Sequence, residues 1–241
     1  MNINIEELKL KLVDRLRSSQ WADKLKGFLL SSDFDNIIEY LYNESQAGRK
    51  FTPVLKDMFS AFENCNYSDL KVVLVLQDPY YQMYNGITVA DGMAMSCSHT
   101  GKLQPSLDYV FKAIDRTVYP DTGLEDTNPD LTRWANQGVL LLNTALSTQV
   151  GIAGAHQSLW QPFICYLLDI LNSINSGLVF IFMGKVAQGY ESLINDGRHY
   201  KLFCTHPASA AYKKLPLWDS NDVFKKSNEI LWDTNKTKII W

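Results

Sequence analysis

Cysteine is scarce in this 241-residue chain: Cys65, Cys97, Cys165 and Cys204 are widely separated, and no Cys-x-x-Cys pair occurs. That pattern argues for reduced thiols and against a disulfide framework or a zinc site, and no spacing supports an iron–sulfur cluster. Long apolar runs are missing too. The longest, around Leu178–Met183, falls far short of the ~20 residues a membrane span needs. The opening Met1-Asn2-Ile3-Asn4-Ile5-Glu6-Glu7 lacks the basic start and apolar core of a signal peptide, so a cytoplasmic protein without membrane contact is expected. Neither sign of charge dominates. A net charge of −3 excludes whole-molecule attraction to a polyanion, although Lys185–Trp241 holds nine Lys/Arg against six Asp/Glu. Such a basic quarter fits a phosphate-facing surface, and it equally fits scattered solvated lysines. No repeat, low-complexity tract or Gly/Ser- or Pro-rich linker divides the chain. One domain spanning 1–241 is therefore expected, with a helical N-terminal part over about 1–66. A composition 46% hydrophobic and 20% charged is that of a folded globular protein.

What is present is a change of pattern along the chain. The segments 6–17 and 34–42 place apolar residues at helical spacing, and Thr52-Pro53 before Val54–Phe62 predicts a cap and first-turn proline opening another helix. From Lys71 the pattern becomes short apolar runs: Val72–Leu76, Gly138–Leu142, Leu178–Phe182 and Tyr200–Cys204. Runs of this kind suit strands buried on both faces of a parallel sheet. Helical spacing returns between and beside them at Leu107–Val118, Leu159–Leu171 and Val186–Ile194. The alternation predicts a three-layer α/β/α fold with a central, mostly parallel four-stranded sheet.

Polar residues follow each run: Gln77-Asp78-Pro79-Tyr80, Asn143-Thr144, Gly184-Lys185 and Thr205-His206-Pro207. Ligands of open α/β sheets bind beyond the carboxyl ends of the strands, so Asp78, Asn143 and His206 are expected around one crevice with Gly184 at its rim. Each residue also has a plain structural reading. Asp78 can satisfy turn donors or hold a carboxylate toward a cationic transition state or a water. Asn143 can tie two loops, and His206 can be a core histidine. Cys97-Ser98-His99 has no evident base to make it a nucleophile. Neither a Walker loop, a Gly-x-Gly-x-x-Gly turn nor a His-Glu-x-x-His helix accompanies them.

Taken in order, the motifs resemble those of the family-1 uracil-DNA glycosylases. Leu76-Gln77-Asp78-Pro79-Tyr80-Tyr81-Gln82 stands where that family has Gly-Gln-Asp-Pro-Tyr-His-Gly, and Asp91-Gly92-Met93-Ala94-Met95-Ser96 is similar to its His-Gly-Leu-Ala-Phe-Ser. Gln104-Pro105-Ser106-Leu107 resembles its proline-rich loop, Trp134–Thr144 its uracil-reading strand, and Met183–Gln188 its Gly-Ser loop. Cys204-Thr205-His206-Pro207-Ala208-Ser209-Ala210-Ala211 is similar to its leucine loop. The likeness runs from about Trp21 to Trp241.

The resemblance implies hydrolysis of the N-glycosidic bond of deoxyuridine, without metal or cofactor, on a flipped nucleotide. Asp78 then faces the sugar cation and positions water, and His206 donates to the base oxygen. Gln77, Tyr80, Met95 and Asn143 form the base pocket, with Asn143 reading the uracil edge and Tyr80 crowding carbon 5. Ser106, Gly184, Lys185, Ser209, Ala210 and Tyr212 fall to the DNA backbone and duplex. DNA, single- or double-stranded, and a proteinaceous glycosylase inhibitor are the implied partners of a monomer.

Four departures stand out. Met95 replaces a stacking phenylalanine, Tyr81 a histidine, and Ala210 the intercalating leucine, whose task falls to Tyr212 or a neighbouring side chain, or to none if single strands are preferred. The segment Gln82–Ala90 is longer than the family's compact turn, so a remodelled pocket wall is expected. Three readings stay open on sequence grounds: a divergent uracil-DNA glycosylase, a same-fold glycosylase for another modified pyrimidine, or a non-catalytic DNA-binding or assembly subunit.

Overall fold

The computed structural model describes residues 5–17, 19–174, 177–195, 197–235 and 237–241. Residues 1–4, which open the segment read for a signal peptide, lie outside the described residues. Helices α1 (Ile5–Leu16), α2 (Trp21–Leu29) and α3 (Ser32–Gln46) come first. Ser31, in an extended conformation, starts α3 by accepting the Phe34 N–H on its side chain at 3.3 Å. No such cap marks α2, which the sequence reading passed over.

The helix expected over Val54–Phe62 does not form. Thr52 pairs with Thr148 in two-residue antiparallel strands, the Thr52–Pro53 peptide is cis, and the segment breaks into a 3₁₀ turn at Leu55–Asp57 and a helical turn at Ser60–Glu63. The Thr52 hydroxyl donates to the Tyr80 carbonyl at 3.3 Å, so it ties two loops together and is not a helix cap. Val186–Ile194 is likewise broken, into a helical turn at Lys185–Gln188 ended by Gly189 and a 3₁₀ turn at Glu191–Leu193.

The expected sheet is present. Strands β1 (Val72–Leu76), β2 (Val139–Asn143), β3 (Val179–Met183) and β4 (Tyr200–Cys204) lie in the order β2-β1-β3-β4, all parallel. Every residue of β1, β2 and β3 is buried, as continuous apolar runs require. Strand β4 departs from that expectation. It is one of the two sheet edges and, unlike the other edge strand β2, it is left partly open: Tyr200 is exposed, and only Cys204 is fully buried.

Helices α4 (Pro105–Val118), α5 (Gln157–Asn172), α6 (Pro207–Lys213) and α7 (Val223–Asn235) complete the layers. Pro105 and Pro207 occupy first-turn positions, where the missing N–H costs nothing. Phe163 of α5 meets Phe28 of α2 and Phe62 edge to face at 5.2 and 5.8 Å, so the N-terminal helices share the sheet's core. The Trp241 ring closes that core against Trp134 and Phe224. Because all four strands run the same way, Gln77-Asp78, Asn143-Thr144, Gly184 and Thr205-His206 leave the sheet at one edge.

Candidate active site

At that edge lies a cavity of about 530 Å³. Of the residues singled out from the sequence, Gln77, Asp78, Tyr80, Met95, Ser106, His206, Ser209 and Tyr212 line it. The carboxylate and the imidazole thus face one space, although 128 positions separate them in the chain.

Asp78 is the second residue past the end of β1. Its Oδ2 accepts the Gly154 N–H. Burial pushes the carboxyl above its ordinary range, while the Gly154 N–H acts in the opposite direction. Gly154 has φ +74°, and an added Cβ there would lie 3.2 Å from Gln77 Nε2. That side of the site is closed by contacts to Gln77 as well: its carbonyl accepts from Thr144 Oγ1 at 2.8 Å and Gln157 Nε2 at 2.9 Å.

His206 is the residue that caps α6. Its Nδ1 accepts the Ala208 N–H at 3.1 Å, so the neutral ring carries its proton on Nε2. Burial pushes its pKa down to about 4, which keeps the ring uncharged at physiological pH. A neutral imidazole with a fixed tautomer is a hydrogen-bond donor and not a general acid of ordinary strength.

Asn143 ends β2 opposite Leu76, a residue of the cavity wall, but it is not itself part of that lining. Its side chain is buried, and among the described residues Oδ1 has no partner. An orphaned buried carbonyl is costly to keep, so it is a place where a ligand N–H would be welcome. Tyr80 OH and Ser106 Oγ lie 2.9 Å apart, which fixes the ring from its far end. Ser106 is buried, and this bond, unlike the phosphate contact expected of it, is formed within the protein. Met95 is buried with φ +66°.

Two expected DNA contacts, Gly184 and Ala210, are placed otherwise. Gly184, φ +88°, does not line the cavity; an added Cβ would lie 2.9 Å from His206 Cβ. Its close approach is to the imidazole-bearing residue. Gly184→Ala is therefore expected to displace the ring and to cost about 1–3 kcal/mol in a backbone region nearly reserved for glycine, read as a lower denaturation midpoint. Lys185 is exposed beside it, outside the cavity. Ala210 is 1% exposed: its methyl faces the core, so it cannot enter a duplex. Tyr212, 90% exposed, stands at the cavity mouth in its place.

The longer segment after Gln82 is a β-hairpin, Met83–Tyr84 against Ile87–Thr88, and Lys102 Nζ lies 4.2 Å from the Tyr84 ring centre. Cys97 is inert: burial pushes its thiol up to about 11. No motif in the sequence marks Gly154 or Gln157, which hold Asp78 and Gln77. The Gly151-Ile152-Ala153-Gly154 stretch between a strand and a helix was the signal available for the first.

Comparison with known proteins follows this geometry. The family model described as the uracil DNA glycosylase superfamily matches residues 62–232. A uracil-DNA glycosylase of Christiangramia forsetii is 33% identical over 92% of this chain and 96% of its own, and one from Buchnera aphidicola is 36% identical over the same shares. Among solved structures, mimivirus uracil-DNA glycosylase superposes with a TM-score of 0.85 at 22% identity, covering 98% of this chain and 91% of its own. A variant of that mimivirus protein in complex with UGI gives 0.84 at 23% identity, covering 98% and 92%.

Proposed function

The chain belongs to the uracil-DNA glycosylase superfamily, and from that membership we propose the roles of its residues in releasing uracil from DNA for base excision repair. The reaction breaks the bond between C1′ and N1, and water supplies the hydroxyl that remains on the abasic sugar. An oxocarbenium-like sugar and a uracil anion form a few ångströms apart. Asp78 meets the cation and orients the water. His206 Nε2–H donates to the base oxygen on which negative charge gathers. Fixed donors and charges of this kind, held in a site closed to water, are each worth about 3–4 kcal/mol. One observation carries the reading: a half-buried carboxylate and an imidazole that is neutral at physiological pH, with its proton on Nε2, line the same cavity.

Asn143 reads the base. Its unpartnered Oδ1 suits the N3–H of uracil, and its amide N–H₂ suits the neighbouring carbonyl, whereas cytosine presents a lone pair at N3. Tyr80, anchored by Ser106, occupies the side where carbon 5 would lie, which disfavours thymine and other 5-substituted pyrimidines. That crowding, with the relatives' shared name, sets aside the modified-pyrimidine reading, and the Asp78–His206 pair sets aside a non-catalytic subunit. Gln77 and Met95 complete the pocket. Lys185, Ser209 and Tyr212 contact the strand, with Tyr212 beside the vacated base position. The whole chain acts as one cytoplasmic, monomeric domain. A proteinaceous inhibitor is a second partner, supported by the mimivirus relative in complex with UGI.

Neither charge in this reaction calls for a metal. Purified protein in the presence of a chelator is expected to release free base from oligonucleotides carrying uracil and not from those carrying thymine or cytosine. Asn143→Asp is expected to slow uracil release and open slow release of cytosine, because its protonated form can donate to N3. A wild type silent on uracil would overturn the function, and unchanged base choice in Asn143→Asp would remove the reading role.

A further inference from the structure

Ser147, Trp160 and His156 form a buried cluster that is not part of the cavity lining. Trp160 Nε1–H donates to Ser147 Oγ at 2.8 Å, and Ser147 Oγ lies 2.9 Å from His156 Nδ1. The three side chains are 0–1% exposed. An indole nitrogen only donates, so Ser147 Oγ accepts from Trp160, and it shares a second hydrogen bond with His156 Nδ1 whose direction follows the imidazole tautomer. The pair thereby joins the two ends of the loop 147–156.

What that loop carries matters. Two residues before His156, Gly154 gives its N–H to Asp78; one residue after, Gln157 holds the Gln77 carbonyl. Inside the loop, Thr148 Oγ1 donates to the Ile152 carbonyl at 2.7 Å and accepts the Ala155 N–H at 3.3 Å. His156 is the fixed point between the two contacts made with the catalytic strand end. We infer that His156, clipped to Ser147, is a positioning residue that holds the Gly154 N–H on the Asp78 carboxylate. The inference rests on Asp78 being the carboxylate of the proposed reaction.

Other groups near His156 do not do this work. The Tyr40 ring packs edge-on at 5.5 Å, and the Glu44 carboxylate is occupied by Arg49 at 2.6–2.8 Å. Burial keeps the imidazole neutral against the pull of Glu44.

The test reads Asp78 directly. Its carboxyl is titrated by carbon-detected NMR in the full-length protein and in His156→Leu, Ser147→Ala and His156→Asn, and the pH dependence of uracil release is measured on the same samples. Losing the clip frees Gly154, removing a bond that favours ionised Asp78. The Asp78 midpoint is therefore expected to rise by about half a pH unit or more in the first two variants, carrying the acid limb of kcat/KM upward with it. kcat is expected to fall about tenfold or more with KM little changed. His156→Asn, whose amide oxygen can take the place of Nδ1, is expected to restore the midpoint. If His156→Leu does not fold, Ser147→Ala decides. An unmoved midpoint overturns the inference; a wild type that releases no uracil overturns the functional reading instead and leaves the titration to judge the clip.

Discussion

Asp78→Asn is expected to lower the single-turnover rate of uracil release by roughly two to three orders of magnitude while leaving DNA affinity nearly unchanged. The carboxylate earns its effect only when the sugar becomes cationic, so an amide of the same shape binds the ground state equally well. Stability is expected to move the other way. Burial holds the folded-state pKa of Asp78 above the unfolded value. Ionising it therefore costs stability that is fully felt above the folded pKa and disappears as the pH falls below the unfolded one. Asparagine carries no such cost at neutral pH, so the variant should melt at the same temperature as the wild type or higher. A wild-type rate in this variant would remove Asp78 from the mechanism.

The second large effect belongs to His206→Leu. Loss of the Nε2–H donor is expected to cut release by roughly a hundredfold to a thousandfold, again in kcat. Because the ring titrates near 4 and not near 6.5, the wild-type rate should show no break attributable to this histidine between pH 5 and 9. Its sign in stability is fixed too. The unfolded chain takes up a proton at about 6.5 that the folded protein refuses until about 4, so folding weakens as the pH falls through that window. His206→Leu should lack that component, visible as a flatter dependence of the melting temperature on pH. A rate break near 6.5 in the wild type would mean that the imidazole charges and that its role is misassigned.

Much of this was legible before any coordinates. The four apolar runs located the strands to within a residue, since a strand buried on both faces has no polar position to blur its ends. Asp78, Asn143 and His206 could be placed at one edge because parallel strands share a direction. What failed were features decided by tertiary contact. Thr52-Pro53 carries the local marks of a helix start, yet its backbone is taken by a ladder to Thr148. Tyr200–Cys204 reads like its sister strands, but how far its faces are covered cannot be told from five residues: the other edge strand, Val139–Asn143, is buried throughout. The hairpin after Gln82 was announced by Asn85-Gly86, a strong short-range turn signal, and was overlooked because the flanking strands are only two residues long. Within the site, Gly184 was expected against phosphate and packs on His206, and Ala210 was expected outward and faces in. Sequence order names a loop's chemistry; the direction of each Cβ within the loop is set by the helix or turn it enters. The Gly154 amide was out of reach for a simpler reason: a backbone N–H has no letter of its own.

Met95 contributes one further consequence. A buried non-glycine residue in left-handed backbone stands on ground that valine, isoleucine and threonine cannot occupy without strain of about 1–3 kcal/mol. The cavity wall at this position is thereby closed to much of the mutational drift that would resize it in small steps. Descendants of this enzyme that acquire a taste for bulkier bases should carry their changes around Tyr80 and Tyr81, or arrive at position 95 by way of glycine or asparagine.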